Sequence, residues 1–318
     1  MKAIKHRYTG LKTLLSVGGW NLGTKQIRVI LQNRMRMRKF AKTSITFLRN
    51  NGFDGLDLHF QYPGSRGSPR KDKYKYATLV MILKEAFAVE ARLTRKPRLL
   101  LTAAVPPGKH DIDAGYEIRR ICRLLDFVNL LTYDFHGTWE DLTGINAPLL
   151  PRRGESKEDR ERNVAWAANY WIKEGCPRRK LVIGMSTYGR SFRLANQANH
   201  GVGAPKRGRP GRGTYTRVSG FLAYYEICED LIKGNEQNVK WHKELKAPYA
   251  YKGDMWVSYD NEYSLQLKVK WLMKMKLGGW MVMDLAGDDF SGTFCNAGKY
   301  PLISRLNKAL KGEIITMS

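Results

Sequence analysis

Short β-prone runs alternate with longer helical ones along most of this chain, and that alternation restricts it to an α/β architecture built on a parallel sheet. Residues 12–17, 55–59, 99–104, 127–132, 181–184 and 280–283 read as strands, and residues 27–51, 75–95, 114–125, 159–174 and 264–276 read as helices. With 318 residues, 43% of them hydrophobic, the chain has material for one enzyme-sized domain and an insertion. The alternation fails over residues 194–255, where a stretch rich in Gly, Pro and Arg at 201–213 predicts an exposed loop. No apolar run approaches the ~20 residues needed to span a bilayer, and residues 1–10 are basic without the apolar centre of an export signal.

The second strand carries the chemistry. In residues 53–63, Leu56, Leu58 and Phe60 alternate with Asp57, His59 and Gln61, so three polar side chains share one face. A sugar-cleaving site needs a carboxylic acid at the end of such a row. Gln61 stands there instead, and an amide can hydrogen-bond a glycosidic oxygen but has no proton to lend near neutral pH. The strand reads as a binding surface.

Residues 54–63 resemble the fourth-strand motif of the family 18 glycoside hydrolases, the chitinases, in which Asp-x-x-Asp-x-Asp-x-Glu lines the mouth of a barrel. Residues 14–20 (Leu-Leu-Ser-Val-Gly-Gly-Trp) are similar to the third-strand motif, 131–134 to the sixth-strand Met-x-Tyr-Asp, and 188–192 to the seventh-strand Tyr-Gly-Arg-Ser-Phe. The resemblance implies a (β/α)8 TIM-type barrel over residues 1–193 and 256–318, with a small α+β insertion at 194–255 before the last strand. Because the match starts at the third strand, the first two strands, and any signal peptide with them, are expected upstream of this chain. In such a barrel the working residues sit at the carboxyl ends of strands, where Trp20, Gln61, Tyr133, Asp134 and Arg190 fall.

Enzymes of this family use the substrate's own acetamido oxygen as nucleophile, so the protein supplies an acid, a group that steers the acetamide, and stacking surfaces. By motif, Gln61 occupies the acid's position and His59 that of the steering aspartate. Asp57 is retained, and the sequence leaves it open as a structural hydrogen-bond acceptor or a ligand contact. His59 could titrate near neutrality, but it lies away from the scissile oxygen and a lone imidazole is a poor relay. Catalytic residues are therefore expected to be absent. The resemblance assigns saccharide contacts to Trp20, Asp57, Gln61, Tyr133, Asp134, Trp139, Tyr188 and Arg190, since aromatic rings match the apolar faces of pyranoses. Met283 stands where the family has a tryptophan beneath the central sugar, and Trp280, at an odd offset, would face the other way.

Among the four cysteines, the resemblance pairs Cys228 with Cys295, which suits an oxidising compartment. Cys122 and Cys176 show no partner in the sequence and read as buried or free thiols. No cysteine or histidine spacing fits zinc, and neither a metal nor a cofactor is expected. The 55 Lys+Arg against 29 Asp+Glu give a formal charge of +26, which favours acidic partners such as acidic glycans or acidic matrix proteins. No nucleic-acid module appears, so a dedicated nucleic-acid role is not expected. The expectation is a secreted, monomeric chitin or N-acetylglucosamine-oligosaccharide binder without hydrolytic activity, serving the extracellular matrix or growth regulation; the alternative is a weakly active chitinase.

Overall fold

The computed structural model describes residues 2–316. The chain forms two compact units: the first runs to Leu131 and resumes over Tyr170–Val182, and the second comprises Thr132–Asn169 and the chain from Ile183 onward.

In the first unit, β1 (Leu14–Gly18), β2 (Gly55–His59), β3 (Leu100–Val105) and β4 (Phe127–Leu130) lie side by side in sequence order, all parallel. Helices α1 (Lys2–Arg7), α2 (Lys25–Leu31), α3 (Arg34–Asn50), α4 (Asp72–Thr94), α5 (Lys109–Gly115) and α6 (Ile118–Leu124) occur between or before the strands. This β-then-helix order is that of a TIM-type barrel wall. Leu56, Leu58, Leu101, Ala103, Val128 and Leu130 are buried, as expected of strands covered on both faces.

Two helices of the sequence reading are broken, each for a local reason. The segment 27–51 splits because Asn33 leaves the helical region and its side chain accepts from the Arg36 N–H, capping α3 anew. The segment 114–125 splits at Tyr116, which is extended; its hydroxyl donates to the Phe60 carbonyl. Gly115 beside it lies so close to the Pro63 carbonyl that a Cβ would come within 2.2 Å. The helix expected over 159–174 becomes α7 (Val164–Lys173), started by Asn163, whose side chain accepts from the Trp166 N–H.

In the second unit, β5 (Leu181–Ser186) enters from the first, and β6 (Tyr188–Arg193), β7 (Phe221–Ala223), β8 (Val239–His242), β9 (Ala247–Lys252) and β10 (Met255–Ser258) form an antiparallel sheet in the order β7-β6-β10-β9-β8. The short turn α8 (Tyr224–Glu226), the helix α9 (Glu262–Lys274), the strand β11 (Gly279–Met283) and the helix α10 (Pro301–Leu310) complete it. Phe192, Leu194, Leu245, Ala247 and Trp256 make the buried centre of the antiparallel sheet, with the Trp256 indole N–H donating to the His200 carbonyl. Glu226, fully buried, accepts from the backbone of Tyr215, Thr216 and Ala223 and so ties down the basic loop before it.

Cys228 and Cys295 are disulfide-bonded, the pairing that the family resemblance implied. Cys122 and Cys176 are bonded as well, which corrects their reading as thiols. They are 54 residues apart, one on α6 and one in the turn after α7, and only the packing of the first unit brings their Cα atoms to 5.3 Å.

Candidate functional site

The polar row of β2 is set by parallel register. Ser16 of β1 lies opposite Asp57, and Asp57 opposite Thr102 of β3, so their side chains share one face. Asp57 accepts from Ser16 Oγ at 2.8 Å, Thr102 Oγ1 at 2.6 Å and Asn129 Nδ2 at 3.5 Å. Strands β1 to β4 thus converge on one buried carboxylate, and Asp57 acts first as their common acceptor.

His59 is next along the row, and its Nε2 is buried without a hydrogen-bond partner. Burial lowers its pKa, against the opposing pull of the Asp57 charge. A neutral imidazole with an unsatisfied ring nitrogen is a poor proton donor at pH 7. Gln61 follows, 8% exposed, with its amide Nε2 donating to Tyr62 Oη at 3.0 Å.

Trp20 enters through a Gly-Gly turn that needs both glycines. Gly18 and Gly19 have φ of 125° and 94°, and a Cβ on Gly18 would stand 2.1 Å from the His59 carbonyl oxygen. That same oxygen accepts the Gly19 N–H at 2.7 Å, locking the turn to the end of β2. The indole is 58% exposed, and the Arg66 guanidinium lies over it, 3.4 Å from the ring centroid. Arg66 Nη1 also donates to the carbonyls of Trp20 and Gln61, so it joins two residues that the sequence reading had only placed on neighbouring strands.

The second unit gathers the rest of its assigned residues into one cluster. Asp134, with φ of 59°, directs Oδ1 at Tyr188 Oη (2.8 Å) and Arg190 Nε (2.7 Å), while its N–H donates to Asn146 Oδ1. Tyr133 packs edge-on against Tyr188, which stacks on Phe221 with centroids 4.6 Å apart. Around the Arg190 guanidinium, the rings of Trp139, Tyr188 and Phe221 lie 5.4–5.7 Å from it. Burial opposes the Arg190 charge, but the Asp134 hydrogen bond and charge outweigh it and raise its pKa; burial also raises that of Tyr188. The result is a fixed cation framed by aromatic faces, with Trp139 58% exposed. Such a surface can orient hydroxyl and amide groups while stacking on apolar ring faces.

Met283 ends β11 and is 40% exposed, whereas Trp280 is partly buried with its Nε1 unpartnered. Arg66 and Phe221 had no assigned role in the sequence. Arg66 entered the sequence reading only through the net charge, and Phe221 is opposite Arg190 by cross-strand register between β6 and β7, which no local pattern encodes. Among the described residues, no group of three or more His, Cys, Asp or Glu is placed to hold a metal ion, and no helix is long and apolar enough to cross a membrane.

Comparison with known proteins places these motifs in a family. The model for glycosyl hydrolases family 18 matches residues 1–288. Chitotriosidase-1 of Mus musculus is 45% identical over 98% of this chain, and the chain spans 66% of that relative, less than two thirds of its length. Among solved structures, human YKL-39, described as a pseudo-chitinase with retained chitooligosaccharide binding, matches with a TM-score of 0.91 at 39% identity, over 98% of this chain and 83% of that one. An immunomodulatory active chitinase from Trichuris suis matches with a TM-score of 0.91 at 38% identity, over 97% of this chain and 83% of that one. The fold is of the TIM-barrel type with an antiparallel insertion, and the chain belongs to the glycosyl hydrolases family 18.

Proposed function

We propose that this chain is a chitinase-like lectin that binds N-acetylglucosamine oligosaccharides of the chitin type and does not hydrolyse them. The reading rests on the motif resemblance that aligns Gln61 with the family's acid, and one observation supports it: the Gln61 amide donates to Tyr62 Oη. His59 does not supply the missing proton, because burial favours its neutral form. The binding half of the proposal rests on Trp20 with Gln61 in the first unit, and on Tyr133, Asp134, Trp139, Tyr188 and Arg190 in the second. It is supported by the likeness to YKL-39, whose description joins lost catalysis to retained chitooligosaccharide binding. Asp57 serves Trp20 and Gln61 indirectly, by fixing strands β1 to β4. Two disulfides favour an oxidising, extracellular setting, in which a matrix or growth-regulating role is open to such a binder.

Weak chitinase activity is the second reading, favoured by the likeness to an active chitinase. Calorimetry with the tetramer of N-acetylglucosamine, run beside an assay for soluble sugar released from chitin oligomers, separates the two. Binding without release is expected. Release at an ordinary hydrolase rate, abolished in Gln61→Ala, would overturn the proposal.

A further inference from the structure

Helix α3 carries an uncompensated cationic face. Its sequence from Arg34 to Asn50 holds Arg34, Arg36, Arg38, Lys39, Lys42 and Arg49 and no acidic residue at all. Arg49 pairs with Glu90 of α4, which fastens the end of the helix to its neighbour. The other five are exposed, and none makes an ion pair among the described residues. Arg34, Arg38 and Lys42 are spaced i, i+4, i+8, so they form a single stripe about 12 Å long at 1.5 Å rise per residue. Met37, Ala41, Ser44 and Leu48 supply the buried face, leaving the stripe free to face a partner.

This arrangement works against the helix that bears it. Like charges at i, i+4 repel. Cations in the first turn oppose the positive end of the helix dipole, and Arg34 and Arg36 sit there with no acid beside them. Asn33 satisfies only the Arg36 N–H, so the start of the helix has no neutralising group of its own. A stripe that costs its own helix stability is explained if something of opposite charge neutralises it.

We propose that the α3 face is a docking surface for a linear sulfated polysaccharide, separate from the residues assigned to chitin-type sugars. Regularly spaced cations along a straight helix match regularly spaced anions along an extended chain, and binding releases counterions while relieving the repulsion. The two disulfides favour an oxidising setting, where sulfated glycans rather than nucleic acids are the abundant polyanion, and so argue for the glycan. The near absence of apolar side chains within the stripe, Met35 excepted, argues against insertion into a lipid surface.

Heparin, as a probe polymer, tests this by titration calorimetry across a salt series with the whole chain. The variant Arg34→Gln/Arg38→Gln/Lys42→Gln should lose about tenfold or more in affinity near 0.15 M salt, and its log–log salt slope should fall by about two to three. Its thermal midpoint should stay or rise, and its affinity for the N-acetylglucosamine tetramer should not change. A control that removes the same charge elsewhere, Lys243→Gln/Lys270→Gln/Lys274→Gln, should keep most of the heparin affinity. Charge-preserving Arg34→Lys/Arg38→Lys should bind heparin nearly as the parent does, which keeps the test decisive if the neutral variant folds poorly. An equal loss in the control, no heparin binding at 0.15 M salt, or tighter binding of duplex DNA or phosphatidylserine vesicles than of heparin would each overturn the proposal.

Discussion

The Arg66 guanidinium lies 3.4 Å from the centroid of the Trp20 ring and donates at the same time to the Trp20 carbonyl. One aromatic face of the proposed sugar platform is therefore occupied by the protein's own cation, and sugar stacking falls to the remaining exposed surface. Removing the ring should cost about 1.4 kcal/mol of binding, about tenfold in affinity for chitin oligomers. Arg66→Ala, which removes only a cation–π contact and two hydrogen bonds holding the ring, should cost about two- to fivefold. Calorimetry of both variants checks this. An unchanged affinity in Trp20→Ala would remove the residue from the binding surface.

On the proposed reading, conferring hydrolysis should need two changes. Gln61→Glu alone returns a proton donor but leaves His59 where the family steers the acetamide, so hydrolysis should stay near background. His59→Asp/Gln61→Glu should raise the release of soluble sugar by about a hundredfold or more over the parent. Equal rates in the single and double variants would show that His59 does not limit the site.

Asp57 is expected to matter more for stability than for binding. Asp57→Ala strands the donors of Ser16, Thr102 and Asn129 in the sheet and should cost about 3 kcal/mol of unfolding free energy; Asp57→Asn, which still accepts from one neighbour, should cost about 1 kcal/mol. Urea denaturation measures both. Full stability with lost sugar affinity would instead make Asp57 a ligand contact.

Acid should expose the buried imidazole. The folded pKa of His59 is pushed below its ordinary 6.5, so below pH 6.5 the unfolded chain takes up the proton first and stability falls as pH falls. His59→Asn should lose less stability than the parent between pH 6.5 and 5. The difference between the two proteins isolates this histidine from His242, also lowered by burial, and from Asp54 and Asp126, whose lowered pKa values act below 3.8. Parallel curves for the two proteins would show that His59 is not held neutral.

Thiol titration of the unfolded, unreduced protein should find no reactive cysteine, and four after reduction. Replacing either pair by serine should cost about 4 kcal/mol on the chain-entropy model, given loops of 54 and 67 residues. Two reactive thiols before reduction would restore the reading of Cys122 and Cys176 as free.

The chain's own order of residues was enough to locate the six strands β1 to β5 and β11, though not the individual strands of the antiparallel sheet. Gly55–His59 falls where its period-two pattern puts it, and the amide at Gln61, on which the proposed loss of catalysis rests, is read from one side chain. What the linear pattern could not carry were relationships between distant segments. The acceptor role of Asp57 follows from parallel register with Ser16 and Thr102, the place of Phe221 against Arg190 from an antiparallel pairing, and the Cys122–Cys176 bond from packing across 54 residues. Local periodicity records which face a side chain takes on its own element; which side chain from elsewhere meets it there is set only when the sheet closes its hydrogen bonds and buries its apolar faces.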